Sequence, residues 1–154
     1  MRMRTRLIGQ LLLLCGFLGT PSLPLSAEDR QLVAGAEDLV VVVLRENGVP
    51  VLSRAEVFDI FMGRSRSLPD GRRVVPLDLG EGSILRDRFY QEVLERSPAQ
   101  VRAHWARLLF TGRGSPPRSV DSLDEVLLAM KQNPQSIAYL PRRVLTPALA
   151  VVYE

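Results

Sequence analysis

Three kinds of side-chain chemistry are almost missing from this 154-residue chain, which has one cysteine, one histidine and one lysine. Cys15 sits inside an apolar run and follows Leu14, not the small residue that precedes a lipid-modified cysteine. His104 alone cannot assemble a His/Cys metal cluster. It lies next to Trp105 on an amphipathic stretch, where a structural or surface role is expected, and nothing pairs it with a serine as a base. Carboxylate pairs such as Asp78 with Glu81, or Asp121 with Asp124, have no distinctive spacing, and solvation or capping accounts for them. No nucleophile, base or metal set converges, so the expectation is a non-enzyme without a cofactor.

Long apolar runs are missing as well. Leu7 to Leu18 spans only about a dozen residues, whereas a membrane helix needs about 20. With Arg2, Arg4 and Arg6 before it and Pro21, Pro24 and Ser26-Ala27 after it, the run reads as the core of a secretory signal over residues 1–27. The remaining domain, residues 28–154, is then exported to the periplasm with no membrane span and no cysteine. Disulfides and thiol catalysis are excluded there, although an oxidising compartment would permit disulfides. Excess charge of either sign disappears too: without the three signal arginines, 17 basic residues face 17 acidic ones. A neutral chain gives no basis for binding nucleic acid or a membrane surface. Its 127 residues suit one domain with a single core.

What is present is an alternation of strand and helix signals. Leu39 to Leu44 is apolar at every position and rich in β-branched residues, the pattern of a strand buried on both faces in a parallel sheet covered by helices. Asn47-Gly48 marks a turn. Ser53 with Glu56 forms a capping box, and Leu52 with Val57 a hydrophobic staple, for a helix that Gly63 ends. Arg64 to Asp70 is a polar loop, and a cluster of Arg64, Arg66, Arg72 and Arg73 around it reads as solvated surface. A strand is predicted over Arg73 to Leu77, then a helix carrying Leu85, Phe89 and Val93 on one face. Ser97-Pro98-Ala99-Gln100 opens a helix reaching Phe110, and Ser122 with Glu125 opens another that stops before Pro134. Ser136 to Leu140 and Leu149 to Tyr153 are the last strands.

Four of these helices begin at serine, and three place a cap-reaching residue at the third position: Glu56, Gln100 and Glu125. Ser83 is the exception, with Arg86 there instead. Arginine cannot accept a hydrogen bond, and it adds positive charge at a helix start whose free N–H groups already favour an anion. The turn Gly80-Glu81-Gly82-Ser83-Ile84 is therefore the first candidate site, with Gly82, Ser83, Ile84 and Arg86 as ligand-binding residues, though the carboxylate of Glu81 opposes it. Arg113, between Gly112 and Gly114, is the second candidate, because flanking glycines let a backbone approach a ligand closely.

From Leu52 to about Leu140 the chain resembles the phosphate ABC transporter substrate-binding proteins, which have the type II periplasmic binding fold. The pieces that carry the resemblance are Leu52-Ser53 through Ile60-Phe61-Met62-Gly63, Asp70-Gly71, Val74-Val75-Pro76, Gly82-Ser83, Phe89, Gly112, and Asn133-Pro134 through Ile137-Ala138-Tyr139-Leu140. The resemblance implies a three-layer α/β lobe on a mixed, mostly parallel five-stranded sheet flanked by helices. It also implies that the Gly-Ser turn gives amides and a hydroxyl to phosphate. Only Gly82 and Ser83 carry over: the Gly and Thr that usually follow the serine are Ile84 and Leu85, and the arginine that commonly precedes the turn falls at about Leu79. The family has two lobes, and this chain has residues for one.

The expected function is an exported solute-binding-type module, taking phosphate or another small oxyanion weakly, linked to ABC-type phosphate transport, with a second chain or an envelope protein as partner. The alternative is a periplasmic interaction protein that binds no ligand and acts on an envelope sensor or transporter.

Overall fold

The computed structural model describes residues 38–45 and 51–154. The signal expected over residues 1–27 and the turn expected at Asn47-Gly48 lie outside the described residues.

One five-stranded sheet organises the chain. Its strands are β1 (Leu39–Leu44), β2 (Val75–Leu79), β3 (Arg118–Val120), β4 (Ser136–Pro141) and β5 (Leu149–Tyr153), in the order β3-β2-β4-β1-β5. The helices are α1 (Arg54–Phe61), α2 (Ile84–Arg88), α3 (Pro98–Phe110) and α4 (Leu123–Gln132). β2 is parallel to β3 and β4, while β1 is antiparallel to β4 and β5. Four strands therefore share a direction and β1 opposes them, the mixed and mostly parallel α/β sheet that was expected.

Two strand expectations change in detail. Val40, Val41, Val42 and Val43 are fully buried, as their composition demands, yet β1 is the one reversed strand. Its position inside the sheet, with neighbours on both edges and helices flanking, accounts for the burial; direction does not. β3 is too short and too polar to show any strand periodicity, and pairing with β2 creates it: Leu77, Asp78 and Leu79 face Arg118, Ser119 and Val120 in register.

The serine caps form as the sequence demands, with one variation. Ser53 and Glu56 exchange bonds in both directions, as do Ser97 and Gln100. Ser122 accepts from the Glu125 N–H, but the Glu125 carboxylate reaches one residue further back, to the Asp121 N–H at 2.8 Å. Leu52 and Val57, the staple pair, are both buried.

The core is continuous and its centre is aromatic. Phe89 stacks on Tyr139 at 4.0 Å with nearly parallel rings, and Phe61 meets Phe89 edge-on at 4.8 Å. Such pairs contribute about 0.5–1.5 kcal/mol beyond the area they bury. Beyond α2 the chain widens into one π-helical segment, Phe89–Val93. Phe89, Tyr90 and Val93 of this segment all face inward. Among the described residues no helix is long and apolar enough to cross a membrane.

Candidate functional site

β2 carries the chain to the candidate turn. Its last residues are Leu77, Asp78 and Leu79, and Gly80 then donates its N–H to Val120 O at 3.1 Å, tying the exit of β2 to the end of β3. The Ser83 N–H donates to Gly80 O at 3.2 Å, closing a tight turn. At its corner Gly82 has φ +86°, a conformation in which a side chain would be strained, and the space where a Cβ would project is open. Ser83 caps α2, its hydroxyl accepting from the Arg86 N–H at a long 3.4 Å. The N–H groups of Ile84 and Leu85 have no partner among the described residues. Ile84 is 45% exposed.

Arg86 does something the sequence did not suggest. Its guanidinium is turned inward, 6% exposed, with Nε donating to Asp78 Oδ2 at 2.9 Å. The positive charge expected over the turn is thus neutralised beneath it. Asp78 is also not the solvated carboxylate that was expected: it is 5% exposed and accepts from three donors. Tyr90 OH donates to Oδ2 at 2.9 Å and Tyr139 OH donates to Oδ1 at 2.6 Å. Tyr139 OH in turn accepts from the Leu79 N–H at 3.1 Å.

Electrostatics follow from this geometry. Burial, with the adjacent Asp78 charge and hydrogen bond, pushes the Tyr90 and Tyr139 hydroxyls well above the usual tyrosine range. For Arg86, burial works against the charge, but attraction to Asp78 outweighs it and the pKa rises. The guanidinium also lies over the Tyr90 ring, 5.0 Å from its centre. Asp78 precedes the turn and Arg86 follows it, so their ion pair clamps the turn at both ends from the protein side. Sequence reasoning missed Asp78; the available signal was a charged residue between Leu77 and Leu79 in a strand otherwise bound for the core.

Arg113 lies elsewhere. It is exposed, and its N–H donates to Leu108 O at the end of α3. Its loop leads into the start of β3, whereas the Gly82 turn leaves the far end of the parallel strand β2. The structure gathers Gly82, Ser83 and Ile84 on one turn with Arg86 directly below, and does not bring Arg113 to them. Two acids stand close by: Glu81 is exposed, and Asp121 Oδ1 lies 3.8 Å from where a Cβ on Gly80 would project. His104 is far from this chemistry in role, its Nε2 sitting 2.9 Å from the Met62 carbonyl oxygen at the end of α1. No group of His, Cys, Asp and Glu among the described residues could hold a metal ion. In chemical terms the turn offers two unused amides and a serine hydroxyl, held by a neutral buried network.

No protein-family model matches the chain, and no curated protein matches it. Solved structures do. An ABC-type phosphate transport receptor from Vibrio cholerae superimposes with a TM-score of 0.59 and 14% identity, over 75% of this chain and 45% of the receptor. A Clostridium perfringens protein assigned to the phosphate ABC transporter substrate-binding proteins, and holding bound phosphate, gives 0.58 and 18% over 84% of this chain and 51% of its own. PstS from Borrelia burgdorferi gives 0.58 and 11%, over 76% and 47%. At these identities the likeness establishes the fold, and this chain spans about half the length of each of these proteins.

Proposed function

We propose that the chain is an exported solute-binding-type module that takes phosphate or another small oxyanion, weakly, at the turn Gly82-Ser83-Ile84. The observation that carries the reading is the pair of unpartnered Ile84 and Leu85 amides beside the Ser83 hydroxyl, in a fold shared with phosphate receptors. Amides and a hydroxyl at a helix start suit an oxyanion, because they supply donors without a mobile countercharge. Arg86 assists from below, by holding the turn against Asp78, and not by touching the ligand.

Weakness follows from the same geometry. A small polar ligand gains affinity from desolvation and many converging donors, and one lobe leaves the anion open to water on its far side. Glu81 and Asp121 add repulsion. Tight binding therefore requires a second surface, from another chain or an envelope partner, and the link to ABC-type phosphate transport runs through that partner. Export depends on residues 1–27 acting as a cleaved signal, with the periplasm as destination.

Calorimetry with inorganic phosphate on the purified protein tests this. A millimolar dissociation constant, weakened several-fold by Ser83→Ala, is the expected result. Absence of both heat and thermal stabilisation at millimolar phosphate would overturn it and favour the ligand-free interaction protein.

A further inference from the structure

A second concavity lies at the opposite end of β2 from the Gly82 turn. It has a volume of about 270 Å³ and is walled by the ends of the two loops that flank the start of β2 and β3. Its floor is apolar, with Ile60, Val74 and the Trp105 ring, all buried. Pro76, Pro116 and Pro117 also line it, and prolines give a wall that loses little conformational freedom when a ligand binds. Gly63 brings the backbone of the first loop onto Trp105: a Cβ there would stand 2.7 Å from the ring. The indole is thereby held in place.

The charged groups of this groove are all cationic, beside the hydroxyls of Ser65 and Ser115. Arg66 and Arg118 both line it, both are exposed, and neither has a carboxylate partner among the described residues. No acidic residue lines the groove. Two neighbouring surface arginines are matched, Arg72 with Asp70 and Arg64 with Asp59. An apolar floor with two unmatched guanidiniums and no acid is complementary to an apolar body that ends in a negative charge.

We propose that this groove is a second binding site, for a small organic carboxylate. The apolar part of the ligand lies against Trp105 and the prolines, and the carboxylate accepts hydrogen bonds from Arg66 and Arg118. The volume sets the size: at about 30 Å³ for each water-sized atom, the groove holds about nine, and a six-carbon carboxylate has about eight non-hydrogen atoms. The proposal is independent of the phosphate reading, since the two sites share no residue and sit at opposite ends of β2.

Trp105 is the single tryptophan of the chain, so its fluorescence reports on this groove directly. The full purified chain is titrated with hexanoate, and with 1-hexanol, hexylammonium and inorganic phosphate in parallel. A saturable change in Trp105 emission with hexanoate alone is the expected result. Arg66→Ala and Arg118→Ala each weaken it at least about tenfold, the loss of one charge-assisted contact, while Ser83→Ala leaves it unchanged. Both arginines are exposed, so these variants retain the fold, which an unchanged thermal midpoint verifies. An equal response to hexanol would overturn the proposal by showing apolar contact alone. No saturable response to hexanoate, or full binding by both arginine variants, would overturn it as well.

Discussion

Removing the Asp78 carboxylate is the sharpest single perturbation of the fold. In Asp78→Ala the Arg86 guanidinium stays buried without its partner, and the Tyr90 and Tyr139 hydroxyls both lose their acceptor. Leaving one member of a buried ion pair uncompensated costs about 3–5 kcal/mol, a large fraction of the roughly 5–15 kcal/mol that holds a domain of this size together. In a urea titration followed by Trp105 emission, a slope of about 1–3 kcal/mol per molar converts that loss into a midpoint shift of about 2 M. The double variant Asp78→Ala/Arg86→Met is expected to be more stable than Asp78→Ala alone, because the unpaired buried charge is gone. A cost below about 1 kcal/mol for Asp78→Ala, or simple additivity in the double variant, would refute the reasoning that these groups act as one network.

Other consequences follow from particular residues. Tyr90 and Tyr139 stay protonated in the fold while unfolded tyrosines ionise near about pH 10, so the unfolded chain holds fewer protons above that pH and stability falls as pH rises. The decline reaches up to about 1.4 kcal/mol per pH unit for each tyrosine, and Tyr90→Phe/Tyr139→Phe flattens it in denaturation curves collected across pH 9–11. Gly63→Ala places a Cβ against the Trp105 ring at φ +70° and is expected to cost more than about 2 kcal/mol with a shift in Trp105 emission. Gly82→Ala, strained in φ but in open space, costs only about 1 kcal/mol by the same denaturation assay. Ser53→Ala costs about 1 kcal/mol because it dismantles a reciprocal cap, whereas Ser83→Ala, losing one 3.4 Å bond, costs less; paired melts decide the order.

The elements that local chemistry specifies were legible without coordinates. Ser53, Ser97 and Ser122 each announce a helix through contacts within four residues, and the valine run from Val40 to Val43 announces a buried strand through its own composition. β3 was not legible, because Arg118-Ser119-Val120 becomes a strand only by pairing with residues about forty positions earlier. The direction of β1 was hidden for the same reason. At the candidate site, the turn itself could be found from Gly82, Ser83 and the missing capping-box partner. What Arg86 does could not, since the choice between solvent and Asp78 depends on Tyr139, which lies 61 residues from Asp78. The long-range pairing also changes what the turn is: a neutral clamp beneath two free amides, where spacing alone suggested a cation beside an anion.

Amide NMR during a phosphate titration shows whether the unpartnered amides of this turn receive an oxyanion. The Ile84 and Leu85 N–H resonances are expected to shift first and saturate together in the millimolar range, with Ser83 following, while chloride at equal ionic strength leaves them in place. Titration to the same concentrations with those resonances fixed, or with the shifts gathered at another surface, would contradict it.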